Sequence, residues 1–252
     1  MNNVRTVSDT KRAFYGAHTR PISALYRRVV EELMVEMHLL LVNVNFAYDS
    51  IYALGVVSVF DRFMAGYSPE SDQLSIYNAI IAAVEGDPAQ YRSDAENASN
   101  AAKQVPSIEA FKSLLEEAKQ GGGGILKDTF HQVISNDKYK YSRLFTTGLY
   151  NVIEAIDESA LADKEKREAL LTETAEALGF NSELLIKDVE LYRGNLEKMA
   201  QAQEVMKDMI EAEKKKQAQR EKDKAERAAK KESEAKAAAE ASAESATDSS
   251  AE

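Results

Sequence analysis

Apolar side chains along this chain recur at spacings of three and four, and nowhere alternate over a sustained run bounded by hairpin turns. That periodicity predicts an all-α fold. Proline, glycine and cap residues set the boundaries. Ser68-Pro69 and Asp87-Pro88 each predict an N-cap followed by proline at the first helical position. Val105-Pro106-Ser107 opens another helix, and Gly121, the first of four consecutive glycines, closes it. Gly179 ends the helix containing KEKREALLTETAEAL, and Asn181-Ser182 can cap the last one. The predicted helices cover about 8–15, 21–48, 49–65, 69–85, 88–103, 107–120, 125–158 with a break near Asn136, and 161–178, with a long final helix from near 182.

The second of these has apolar residues on nearly all sides. Ile22, Leu25, Tyr26, Val29, Leu33, Met37, Leu40 and Val44 share one face, while Val35, Leu39 and Val42 take much of the other. Such a helix is expected to be covered on both sides and to form the centre of the fold. Its narrow polar strip holds Arg27, Glu31 and His38, with Arg27 and Glu31 one turn apart and able to pair.

The final helix carries a seam that stops. Leu185, Val189, Tyr192, Leu196, Met199, Gln203, Met206 and Ile210 are spaced 4, 3, 4, 3, 4, 3, 4, which is the a/d pattern of a heptad. After Ile210 there is no Val, Ile, Leu, Met, Phe, Tyr or Trp. The same phase continues through Glu213, Gln217, Arg220, Lys224, Arg227 and Lys231. The first half of the seam fits packing against the protein's own bundle. The second half, with Met199, Gln203, Met206, Met209 and Ile210, is the candidate partner-binding face, since Met adapts to varied partner shapes. Beyond it, Glu211–Lys215, Glu226–Lys230 and Glu232–Lys236 support a solvated helix, whereas the closing ASAESATDSSAE has no such support. The expected organisation is a helical bundle over 1–190, a long C-terminal helix over 182–230 projecting as a coiled-coil-like stalk, and a disordered tail over 231–252.

Charge narrows the partners. The 252 residues carry a net charge of −10, and the tail from Glu211 holds 10 Lys and Arg against 11 Asp and Glu, so −9 falls on residues 1–210. Phosphate binding needs a basic face, so nucleic acid is not expected as a partner. The chain has no Cys, which excludes disulfides, thiolate nucleophiles and Cys-ligated metals. MNNVRTVSDTKRAF has no apolar run of the kind a secretory signal carries, so none is expected. LLLVNVNFAY and YALGVVSVF fall well short of the ~20 apolar residues of a membrane span. Peripheral contact stays open, and KKKQAQREKDK could touch anionic headgroups, although its interleaved acids oppose this.

Candidate chemistry is sparse. A ferritin-like site needs Glu-x-x-His on two helices and Glu on two more. Glu32 and Glu36 lie one turn apart, but only Asp128 and His131 have the three-residue spacing, so no metal site is expected. Gly121 to Gly124 lack the phosphate-loop signature, because Lys127 is not followed by Ser or Thr, and they read as a flexible linker. No nucleophile–base triad is visible. Tyr139, Tyr141 and Tyr150 near Arg143 could line a ligand groove or form aromatic core.

Four segments resemble one family: TVSDTKRAFYGAHTRPISALYRRVVEELMVEMHLL from Thr6, FAYDSIYALGVVSVFDRFMAGYSPE from Phe46, YSRLFTTGLYNVIEAI from Tyr141, and LYRGNLEKMAQAQEVMKDMIEAE from Leu191. They resemble the thylakoid-formation, or photosystem II biogenesis, proteins of oxygenic phototrophs, over about Val4 to Glu213. The resemblance implies an all-helical, non-enzymatic accessory protein of thylakoid biogenesis and photosystem II assembly and repair. It implies binding and stabilising of membrane-bound FtsH protease complexes, with photosystem II assembly intermediates as further partners. It implies peripheral association with the cytoplasmic side of a cyanobacterial thylakoid membrane, or the stromal side for a mature chloroplast form. The chain begins almost at the first shared motif, as a cyanobacterial form would. The alternative is a membrane-organising protein acting directly on thylakoid lipids or photosystem subunits. No catalytic residue carries over, and no cofactor is implied. Gly194 stands where the family pattern leads one to expect Ser, which would soften the final helix.

Overall fold

The structure is a computed structural model that describes residues 5–248, with the side chains of 5–224, 226 and 227. Among the described residues there are ten α-helices and no strand: α1 (Val7–Ala17), α2 (Ala24–Leu41), α3 (Ser50–Phe63), α4 (Glu70–Ala83), α5 (Pro88–Lys103), α6 (Ile108–Ala118), α7 (Ile125–Ser135), α8 (Arg143–Ile156), α9 (Lys164–Leu178) and α10 (Ser182–Asp248). A short 3-10 turn, Glu158–Leu161, precedes α9. The all-α expectation holds.

Local chemistry explains most starts and stops. Thr6 and Asp9 form a reciprocal capping box at α1. Asp87 accepts from the Ala89 N–H, with Pro88 opening α5, and Ser107 accepts from the Ala110 N–H at α6. Asn181 Oδ1 accepts from the Leu184 N–H at 2.8 Å to start α10. Gly179 closes α9 in the left-handed region, φ +74. Ser68 does not cap α4: Pro69 is itself the N-cap residue, and no side chain caps that end. The expected break near Asn136 is a seven-residue connection, 136–142, pinned by the Lys138 N–H donating to Asn136 Oδ1.

The centre of the bundle is not α2. That helix ends at Leu41 rather than near 48, and Leu39, Leu41, Val42 and Val44 are exposed. Only the face with Tyr26, Val30, Leu33, Met34, Met37 and Leu40 is buried. The helices covered all round are α3, with Ile51 to Val57 buried without a gap, and α8, with Leu144 to Ile153 buried without a gap. Glycines let them meet backbone to backbone. A Cβ on Gly55 would lie 2.7 Å from the Leu144 carbonyl carbon, and one on Gly148 would lie 2.8 Å from that of Ile51. Both are closer than real Cβ contacts allow. Around this crossing lie fully buried Tyr52, Phe60 and Phe145, with buried Tyr77 packed on Phe60, each worth about 1.5–3 kcal/mol or more in apolar burial.

The polar strip of α2 is also rearranged. Glu31 bonds Lys11 and Tyr15 of α1, while Arg27 donates to the Ile22 carbonyl, so the two do not pair with each other. His38 is buried, its Nδ1 2.8 Å from Thr10 Oγ1 of α1. Arg167 of α9, only 3% exposed, donates to Glu190 of α10 and to the Leu161 carbonyl, both at 2.8 Å. A buried guanidinium needs both partners, because an unpaired buried charge costs several kcal/mol.

The chain divides into two units, Met1–Lys198 and Met199–Glu252. The first holds α1 to α9 and the opening turns of α10, where Leu185, Val189 and Tyr192 are buried. The second is the remainder of α10. Its helical backbone is assigned through Asp248, past residue 231 where disorder was expected to begin, and residues 249–252 of that expected tail lie outside the described residues.

Candidate partner-binding surfaces

Two surfaces have both apolar area and polar groups to orient a partner, one in each unit.

In the second unit the seam becomes exposed along its length. Met199 is 7% exposed, Gln203 and Met206 are half-buried, and Met209 and Ile210 are exposed, Met209 at 67%. Sequence spacing did not single out Val205, which is 59% exposed. It lies one turn before Met209, so the two widen the Met206–Ile210 stripe into an apolar face well over 100° across. From Glu211 to Arg220 every residue is exposed. Burial therefore fades before the seam ends: Met206 is the last half-buried residue among those described, and the stripe's final members, Met209 and Ile210, are already exposed.

In the first unit a cavity of about 120 Å³ lies between α2, α3, α8 and the start of α10. Leu33, Phe63, Leu144 and Tyr192 form its apolar part, with Glu36, Arg143 and Asp188 as its charged part. Arg143 donates to both Glu36 oxygens, at 3.3 and 2.9 Å, and Asp188 accepts from the Tyr141 hydroxyl at 2.7 Å. Burial pushes the Glu36 carboxyl up, against the pull of Arg143. The space is below the roughly 300–1,000 Å³ of small-molecule sites.

The tyrosines beside Arg143 form core rather than a groove. Tyr139 packs on Phe145 and Phe180, with ring centroids 5.5 and 5.9 Å away, and Tyr150 packs on Tyr192 at 5.9 Å. Tyr141 packs edge-on to Phe180 at 5.2 Å. Burial raises all three phenols above their ordinary value. The Tyr139 hydroxyl donates to Asp49 at 2.8 Å, while the other Asp49 oxygen accepts the Tyr52 N–H at 2.7 Å and caps α3. Asp before an apolar helix was the available signal for that role. Burial raises the Asp49 carboxyl to about 6.

The remaining candidates have local work. His131 Nδ1 bonds the Ala118 carbonyl at 2.8 Å, and Asp128 accepts the Gly123 N–H at 2.7 Å, which folds the glycine run back onto α7. Glu32 pairs with Arg28 at 2.7 Å. No helix among the described residues is long and apolar enough to cross a membrane.

The thylakoid formation protein family matches residues 6–221 of this chain. Protein Thf1 of Crocosphaera subtropica is 54% identical over 218 residues, covering 86% of this chain and 89% of that protein. Protein Thf1 of Nostoc punctiforme is 50% identical over 220 residues, covering 87% and 94%. The solved structure of Psb29 superposes with a TM-score of 0.75 at 41% identity, covering 85% of this chain and 99% of that one. The match runs through every helix of the first unit and through the apolar stripe of α10, and on that ground the chain belongs to the thylakoid formation protein family.

Proposed function

We propose that this protein is a non-catalytic accessory factor of thylakoid biogenesis and photosystem II assembly and repair. It acts by binding and stabilising membrane-bound FtsH protease complexes from the cytoplasmic side of the thylakoid membrane, as a peripheral protein. Family membership supports the setting. The observation that carries the binding role is the exposed stripe of Val205, Met209 and Ile210 beside half-buried Met206. A water-facing helix has no structural need for such a stripe, and an amphipathic helix laid in a partner's groove is a common recognition mode.

The test is recovery of FtsH from solubilised thylakoids by the full chain and by a Val205→Glu, Met209→Glu, Ile210→Glu variant, with helicity checked by circular dichroism. The wild type should recover the protease and the variant should recover at least tenfold less. Equal recovery removes the role of α10, and no recovery by either removes the partner.

A further inference from the structure

The connection between α2 and α3 is where the first unit leaves its most apolar surface uncovered. From Met37 to Tyr48 there is no Asp, Glu, Lys or Arg. Within that run Leu39 is 57% and Val44 97% exposed, and Leu41 and Val42 are exposed beside them. At 97% exposed, Val44 projects as a tip with no described residue packed around it, and Leu41 and Val42 beside it are each 38% exposed. The tip also satisfies much of its own backbone. The Asn43 N–H donates to the Leu40 carbonyl at 2.9 Å, the Phe46 N–H to the Asn43 carbonyl at 3.0 Å, and the Asn45 N–H to Asn43 Oδ1 at 2.9 Å. A turn whose donors are used internally can enter a medium poor in water.

A second feature lies at the same end. The α7–α8 connection and the first residue of α8 are tied to both sides of the tip segment: Arg143 of α8 bonds Glu36 just before it, and Tyr139 of the connection bonds Asp49 just after it. That connection carries exposed Lys138 and Lys140, with exposed Asp137 as the opposing charge. The Glu36 and Asp49 carboxylates are already engaged. An uncharged aliphatic tip with lysines beside it has the chemistry of a bilayer contact, with aliphatic groups at the acyl boundary and ammonium groups at headgroup phosphates. Protein interfaces instead favour aromatic and Arg anchors; the tip has no Arg, and its two aromatics, Phe46 and Tyr48, are half-buried and pack on Tyr52.

We infer that the α2–α3 tip, with Leu39, Leu41, Val42 and Val44, inserts shallowly into a lipid surface, and that Lys138 and Lys140 face anionic headgroups beside it. This contact belongs to the first unit and does not depend on what α10 binds, so its failure would leave the recovery of FtsH by α10 untouched.

The chain contains no Trp, so a single introduced Trp reports alone. Val44→Trp should shift to shorter emission wavelength on mixing the full chain with vesicles of phosphatidylcholine and phosphatidylglycerol, and brominated acyl chains should quench it. Leu74→Trp is the control. Leu74 is exposed on α4, whose Gln73 bonds the Met64 carbonyl at the opposite end of α3, and it should neither shift nor quench. In co-sedimentation, Leu39→Asp with Val44→Asp should weaken vesicle binding at least tenfold. Lys138→Glu with Lys140→Glu should weaken binding to anionic vesicles by about fivefold per residue, and should leave binding to phosphatidylcholine alone unchanged. The inference is overturned if Val44→Trp stays unshifted at low salt, if both Trp variants shift alike, or if Val44→Trp shifts only when a membrane protein is present in the vesicles.

Discussion

Gly55 of α3 and Gly148 of α8 face each other across the helix crossing, and a Cβ on either would come within 3.0 Å of the other's backbone nitrogen. The relationship is reciprocal: each residue's missing side chain is the space occupied by the partner helix. Both are interior helical residues, where glycine is disfavoured by about 1 kcal/mol relative to Ala. Close approach of the two backbones, with apolar burial on every side, offsets that.

Gly55→Ala should therefore be strongly destabilising. The new methyl meets the Leu144 carbonyl group, which is backbone and cannot swing aside. Overpacking typically costs 1–3 kcal/mol, and a backbone clash at the centre of the bundle should reach about 3 kcal/mol or more. Urea unfolding followed by circular dichroism measures it, and a change under 1 kcal/mol would contradict the backbone contact.

The same substitution at Gly194 should have the opposite sign. A Cβ there meets nothing within 4 Å, and the residue lies inside α10. Gly194→Ala gains helix propensity with no clash, so stability should rise by up to about 1 kcal/mol. A fall in the thermal midpoint would show that the position is crowded in solution.

Titration gives opposing slopes. Asp49 titrates near 6 when folded because of its burial, above the 3.8 of an unperturbed Asp. The folded state thus holds this proton more tightly, and stability falls by about 3 kcal/mol as pH rises from 4 to beyond 6. His18 and His38 lie below the ordinary 6.5, mainly because burial disfavours the imidazolium. Asp72 opposes and Arg20 reinforces that shift at His18, as Asp9 and Arg5 do at His38. For these groups the unfolded chain takes the proton first, so stability is lost as pH falls below 6.5. Asp49→Asn keeps an oxygen to cap the Tyr52 N–H and removes the first slope. Its urea midpoint should then rise steadily from pH 5 to 7, whereas the wild type should be flatter. Matching pH profiles for the two proteins would refute the assignment to Asp49.

Much of this protein was legible in its sequence. Periodicity fixed the all-α class, because a residue's face on a helix depends only on its position along the chain. Caps at Asp87, Ser107, Gly179 and Asn181 were legible for the same reason: they act within one turn of themselves. The long matching segments carried the family, and counting heptads located the seam and its end at Ile210. Periodicity shows that a face is apolar without showing what covers it. Hence α2, apolar nearly all round, could be taken for the centre, although Leu39, Leu41, Val42 and Val44 are exposed. Tertiary structure decided that α3 and α8 hold that place, since the Gly55–Gly148 approach needs two residues far apart in the chain to be brought together. It also decided that Asp49 meets Tyr139 and Arg143 meets Glu36, which leaves Val44 at an uncovered tip. Such pairings depend on how helices pack in space, and local spacing carries no record of that.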